Sequence, residues 1–579
     1  MKKLSILFLL LLLVTFNASV SAQSTTDTVY IPGSSSLKIS EIVNADTSVH
    51  AHRVYVLDRG AIYYIESAFE ITHSCKFIAK GNAARPPVLA PAIRSDNSSE
   101  EWFFKFMQSG IEVELNDLYL LSMRSDEKSL GWSRAIHSGA DSVKIKLRNI
   151  VFDGFSEAAM RSEGKGTKLD VQDCHFRNLM HSSSYFAGQG YLSASNQFPD
   201  STIFINNTFF CTSSYLFDAR AVDKYSVFEH NTVVYNVITP FLLHRARNLH
   251  FNNNLLIATH AYGGDPYDVF QGGVSSYPDT TAAGAVRIWM NGVYFGDTLS
   301  GPEFYDNEDL GIIYDPSKRV VEIKNNVYHL PDGLVNFYNT WNDTVTVVDT
   351  VETTSGSKQA LKRILTLPKF MNPETQRTLD SLSTPGFREY SPYVNVENNM
   401  DVDPGFTDQE VIGHVDELVE YVKDIAEWSV NYSWQYKFNF PPAWPLPENL
   451  AYSNASLQSA GTDGFAVGDL NWFPAQKQQW MTDVKSDVSV IPSEFTLEQN
   501  YPNPFNPSTT IKFSVPKAGN YSLRVFNVLG QEVAKLHNGQ LNAGTHEATF
   551  NASKLGSGVY FYNLTGNEVN ITKKMMLIK

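Results

Sequence analysis

The sequence predicts an all-β chain: a right-handed parallel β-helix followed by a small immunoglobulin-like β-sandwich. Three observations carry this. An asparagine-centred phrase recurs as Leu-Asn116-Asp-Leu-Tyr, Arg-Asn149-Ile-Val-Phe, Gln-Asp173-Cys-His-Phe, Asn-Asn207-Thr-Phe-Phe, His-Asn231-Thr-Val-Val, Asn-Asn254-Leu-Leu-Ile and Asn-Asn326-Val-Tyr-His. Its copies lie 33, 24, 34, 24, 23 and 72 residues apart, so the unit is about 24, with two longer gaps and a last gap of three units. A repeat of that size, too short in each copy for a helix, marks a solenoid of short strands. In a β-helix, equivalent residues of successive coils stack ~4.8 Å apart, and asparagines in one register can satisfy each other and the turn backbone. The third observation is residues 490–579, where alternating strands are separated by Gly turns and no cysteine occurs.

The elements follow in order. Met1-Lys2-Lys3, the apolar run from Leu4 to Val14 and the small residues Val20 and Ala22 describe a signal peptide over 1–22, cut after Ala22. That run is too short to span a bilayer, and a soluble exported chain is expected. Residues 23–400 are expected to form the β-helix, with the polar stretch 23–50 at its open end. Val54–Gly60, Ala61–Glu66, Cys75–Gly81 and Pro87–Ala90 read as its opening strands, punctuated by Gly and Pro. Residues 261–320 break the rhythm with an aromatic excursion containing Trp289, which is expected either to lie over a lateral binding face or to serve as a packing flap. Apolar residues three and four apart predict helix at Gln359–Leu365 and Val411–Lys423. Residues 401–487 are expected to be a helical or irregular cap and linker, and 488–579 the sandwich.

Composition narrows the partners. A net charge of −15 argues against nucleic acid. Three cysteines, Cys75, Cys174 and Cys211, are no disulfide framework for a chain of 579 residues; Cys174 and Cys211 lie beside aromatics and read as buried packing. A monomer is expected.

Two resemblances extend this reading. The phrase Asn500-Tyr-Pro-Asn-Pro-Phe-Asn-Pro507, with the strands after it, resembles the type A sorting domain of type IX secretion cargo. The resemblance implies outer-membrane passage through the type IX machinery, engaged by 488–579, and release or anchoring at the cell surface. The opening coils and the asparagine repeat resemble the pectate-lyase-like superfamily over about residues 50–400. There the asparagine turn lies between the second and third strands of a coil, which makes Lys144–Arg148 a second strand and Ile150–Phe152 a third.

The first strand then lies ten to fifteen residues before each asparagine. The candidates are Arg134–His137, Ala159–Ser162, Phe217–Arg220 and Phe241–Arg245. Period-two alternation turns His137, Arg161, Asp218 and Arg220 outward, with either His244 or Arg245 on the last strand. Like charges one rung apart repel by ~1 kcal/mol in water and up to ~3.5 kcal/mol at an effective dielectric of 20. Acidic neighbours such as Glu163, Asp218 and Asp223 would neutralise such a column; an acidic polysaccharide lying along it would do the same. The resemblance implies lyase chemistry, β-elimination at a uronate, in which Arg161 and Arg220 bind the carboxylate and His137, His244, Arg245 or Lys224 takes the proton. Asp218 and Trp289 are further candidates for substrate contact. Ca²⁺ is the one cofactor implied, with Asp218 and Glu163 as ligands. The same two carboxylates would serve a hydrolase. The Arg-x-Pro-x-x-Arg motif of classical pectate lyases is absent, Thr239-Pro240 with Arg245 being a partial echo, and so is the polygalacturonase set. The rival expectation is a non-catalytic adhesin or glycan-binding protein.

Overall fold

The computed structural model describes residues 27–34, 38–46, 53–181, 187–193, 199–219, 225–243, 248–263, 284–287, 320–343, 348–353, 356–361, 365, 367–371, 379, 393–426, 434–483, 495–500, 502–515, 519–541, 544–566 and 569–578. The expected signal peptide over 1–22 lies outside them, as does most of the 261–320 excursion. Two compact units emerge, one reaching Thr462 and taking in Val467–Asp469, the other holding Asp463–Ala466 and Leu470 onward.

The first unit is a parallel β-helix of three sheets. Among the described residues the first-strand sheet has nine strands, the second eleven and the third ten. Alternation drives the winding. In Lys144–Arg148, Ile145 and Leu147 are buried while Lys144 is exposed, and each such strand pairs in parallel with its neighbours one coil away, Lys144 with Glu112 and Lys168. Third strands such as Val151–Asp153 are buried on both faces, and inside the solenoid Phe152, Phe176 and Phe209 stack with centroids 4.6 Å apart at each step. Residues 23–50 do more than cover an end: Thr28–Ile31 is the outermost strand of the second sheet, pairing with Val54–Leu57, and the helix Ile39–Ala45 buries Ile39 and Val43.

The asparagine turn does lie between second and third strands, but its register differs from the one expected. Strand pairing places Ile150, Cys174, Asn207, Asn231, Asn254, Asn326 and Asn399 in one column, buried as far as Asn326 and half-buried at Asn399. Asn149 and Asp173 fall one residue earlier, in line with Asp117, Asn206, His230, Asn253, Asn325 and Asn398, all at φ between +52° and +60°. Asn116 aligns with Arg148 and Gln172 at the end of the second strands. Seven residues expected in one register therefore occupy three columns. The reason is that two neighbouring positions select the same side chain: the left-handed turn residue tolerates Asn or Asp, and the inner column needs an amide that bridges coils. Asn254 shows the bridging in full. Its Oδ1 accepts the backbone N–H and an Nδ2–H of Asn231, each at 3.0 Å, and its Nδ2 donates to Asn326 Oδ1 and to Phe228 O, each at 2.9 Å.

Val411–Lys423 is helical, as two helices, Gln409–Gly413 and Val415–Ala426. Gln359–Leu361 is not: it belongs to the strand Gly356–Leu361, paired antiparallel with Val348–Thr353. A β-rich partner strand across a short connection overrides weak helical spacing there. Within the first unit, residues 403–426, 434–462 and 467–469 run outside the third-strand sheet. Phe438, Phe440 and Trp444 pack near Val88, Tyr119 and Val151, and Gly468 N–H donates to Asn253 O. No helix among the described residues is long and apolar enough to cross a membrane.

In the second unit, residues 496–577 form a sandwich of a three-stranded and a four-stranded antiparallel sheet. Its core includes Phe505, Ile511, Phe513, Leu523, Val525, Phe550, Tyr562 and Leu577. The Asn500–Pro507 phrase has a visible mechanical role. The last strand, Val569–Leu577, is a sheet edge, a position that invites unwanted pairing. Gln499 donates to Lys574 O, Met576 N–H donates to Asn503 Oδ1, Phe505 N–H donates to Met576 O, and Ile578 N–H donates to Phe505 O. The phrase thus covers the C-terminal half of that edge.

Candidate functional site

The first-strand sheet carries the candidate face. Strand register aligns Glu70, Lys105, His137, Arg161, Leu192, Asp218 and Leu242 in one outward column. His137 and Arg161 are direct neighbours in it. In the long gap between Asp173 and Asn207 the sheet continues, with Gln189–Ser193 supplying that coil's first strand. Arg220, Lys224, Asp223, His244, Arg245 and Trp289 lie outside the described residues.

Arg161 sits between two carboxylates, 2.9 Å from Glu157 Oε1 and 2.8 Å from Glu163 Oε1. Glu157 also holds Arg134, whose Nε donates to its Oε2 at 2.6 Å and whose other nitrogen reaches Oε1. Much of the arginine charge is therefore neutralised within the protein. The Arg134 guanidinium lies 4.1 Å from the centroid of Trp102, its partner one coil earlier.

His137 points outward but is covered. It is 7% exposed, with Trp102 tilted against it at 4.8 Å. Burial pushes its imidazole below the ordinary range; Glu163 opposes this, and Arg134, Arg161 and Lys105 reinforce it. Its Nδ1 is 3.4 Å from an Arg134 nitrogen. Arginine can only donate, so the neutral ring carries its proton on Nε2. The neutral ring is thus placed to give a hydrogen bond through Nε2, and not to accept one there. Nε2 lies beside Gly139, where an added Cβ would come within 3.5 Å of it and 3.2 Å of Met107 Sδ.

Lys105 differs from the arginines. Its Nζ lies 5.1 Å from the Trp102 centroid, and among the described residues no carboxylate is within ion-pair distance. Glu70, its register partner in the preceding coil, is exposed and makes no ion pair with it. Trp102, Lys105, Arg134 and Glu157 were missed by sequence reasoning as site residues. The signal for the first two was available: ten to fifteen residues before Asn116 falls on Trp102–Phe106.

The two expected calcium ligands do not converge. Asp218 is buried and lies two coils beyond Arg161 in the column, while Glu163 is committed to Arg161. Rungs ~4.8 Å apart put them too far from each other to share one ion at 2.3–2.6 Å. Among the described residues no group of three or more His, Cys, Asp or Glu is arranged to hold a metal. Cys75, Cys174 and Cys211 are free and buried, and burial raises the Cys75 thiol to about 12.

Fold and sorting phrase together define a secreted parallel β-helix protein with a C-terminal targeting sandwich. Residues 499–579 match the family described as secretion system C-terminal sorting domain. The chain is thus cargo of the type IX machinery, carried across the outer membrane to the cell surface or the extracellular space. No curated protein matches it.

Proposed function

We propose that this protein binds an acidic polysaccharide along the outer face of its first-strand sheet. The observation that carries the reading is Lys105, a cation without a carboxylate partner among the described residues, set on Trp102. An unpaired charge beside an aromatic face suits a uronate, whose carboxylate meets the cation while its ring lies along the indole. Arg161 and Arg134 are already balanced by Glu157 and Glu163, so they contribute shape and field more than net charge.

β-Elimination is the second reading, and one arrangement favours it: Lys105, His137 and Arg161 occupy successive positions of one column. In that reaction Lys105 takes the proton next to the carboxylate and passes it to the departing oxygen. Arg161 stabilises the resulting negative charge, and His137 donates a hydrogen bond from its Nε2–H to the departing glycosidic oxygen.

Affinity electrophoresis of the full chain through polygalacturonate, alginate or hyaluronan, with Ca²⁺ and with chelator, tests the binding. Retardation that weakens with salt and in Lys105→Gln is expected. Free migration of the wild-type protein through all three polymers would sink the reading. Ultraviolet absorbance from an unsaturated product, lost in Lys105→Gln, would establish cleavage; retardation with a flat trace would leave a binding protein.

A further inference from the structure

Trp132 is the most exposed tryptophan among the described residues, at 50%. It lies two residues before Arg134, which is paired in register with Trp102, so it sits one coil beyond the Lys105–Trp102 position. One side of its ring rests on His181, with centroids 4.2 Å apart and planes at 33°. His181 is itself buried, so the indole has a firm backing. The remaining area is apolar surface left in water, where it adds nothing to the core.

We infer that Trp132, backed by His181, is a second sugar-binding platform that stacks on the C–H face of a pyranose ring one coil beyond Lys105. The inference rests on the glycan-binding reading and extends it. The ligand class it selects is a pyranose with an unobstructed C–H face. Recognition here is by stacking, whereas at Lys105 it is by charge. The two contributions therefore respond differently to salt: screening weakens the lysine contact and leaves the stacking intact.

Affinity electrophoresis in the same three acidic polymers and in two neutral ones, xylan and hydroxyethylcellulose, separates them. Trp132→Ala is expected to lose roughly tenfold in affinity, about what one aromatic contact supplies, at low and high salt alike. Trp132→Phe should keep most of the affinity, and an unchanged melting temperature in both variants excludes a folding defect. Lys105→Gln should lose affinity for the acidic polymers at low salt only. If Trp132→Ala is retarded like the wild type while Lys105→Gln is not, the platform is wrong and the charge reading stands. Retardation by a neutral polymer alone, lost in Trp132→Ala, would uphold the platform and overturn the acidic reading. A wild-type protein that none of the five gels retards overturns both.

Discussion

Along the third-strand face, Arg177 is 2% exposed, and each of its donors that faces the covering segment or the sheet has a partner. Nε donates to Glu448 at 3.0 Å, one terminal nitrogen to Asp153 at 2.7 Å and the other to Tyr436 O at 2.7 Å. Asp153 also accepts from Tyr119 OH at 2.6 Å and Asn178 Nδ2 at 2.8 Å. Along the first-strand face, Lys105 has an aromatic ring and no carboxylate among the described residues. Both faces belong to one solenoid with one rise per coil. The difference teaches how to sort charge here: where a segment of the chain covers a face, each ion has a counter-ion, and where the face is left partly open, the balance is incomplete. Complete matching is what structure requires, and incomplete matching leaves room for a ligand.

Breaking the covered side should have the largest effect. Arg177→Met leaves Asp153 and Glu448 buried without their cation, and a loss of about 4 kcal/mol is expected, measurable by chemical denaturation. A loss under about 1 kcal/mol would show that residues 403–426 and 434–462 do not depend on this lock, and the comparison would fail on its structural side.

Acid probes the same lock through Glu448. Burial pushes its carboxyl up, but Arg177 and His175 outweigh burial and hold it at about 2. A depressed carboxyl stabilises the fold above its unfolded value near 4.5 and loses that contribution as pH falls toward 2, an effect of about 3 kcal/mol. Asp153 works the other way: burial raises it despite Arg177, so its protonation favours the folded state. The wild type should therefore weaken between pH 4.5 and 2 by less than Glu448 alone would give. Glu448→Gln should flatten or invert that slope in denaturation curves taken at stepped pH. An unchanged slope would remove Glu448 from the account.

The asparagine ladder offers a finer contrast, between late coils and early ones. Asn254→Ala orphans the Asn231 backbone N–H, an Asn231 amide hydrogen and Phe228 O, all buried, and should cost about 3 kcal/mol. Cys174→Ala, at the equivalent position of an earlier coil, keeps its backbone N–H on Asn207 Oδ1 at 3.0 Å and should cost about 1 kcal/mol. Equal losses would mean that the amide bridges add nothing beyond packing.

This ladder also shows what the sequence could reveal. Period and strand order were legible because each coil repeats the same in-and-out alternation around its turn. The column of each asparagine was not, since a left-handed turn residue and a bridging amide select the same side chain one position apart. On the candidate face, alternation along Arg134–His137 and Ala159–Ser162 was enough to align His137 with Arg161. It could not show that Trp102, from the previous coil, covers His137, or that Glu157, just before its strand, forks onto two arginines. The Trp102–His137 and Glu157–Arg134 contacts join residues 35 and 23 positions apart, and a reading strand by strand does not reach them.

Glu157 gives the smallest and most discriminating effect. It carries one carboxylate to Arg134 and Arg161 together, so Glu157→Gln shifts the open face by one positive charge without removing either arginine. Partly exposed ion pairs contribute little, and a stability loss of about 1 kcal/mol is expected. If the face binds an acidic polymer, the freed arginines should raise affinity several-fold at low ionic strength, and the gain should vanish as salt screens it. A neutral structural face would instead show the same small destabilisation and no change in retardation. Tightened binding at low salt together with a slightly lower melting temperature is therefore the pattern that separates a ligand-facing charge from a decorative one.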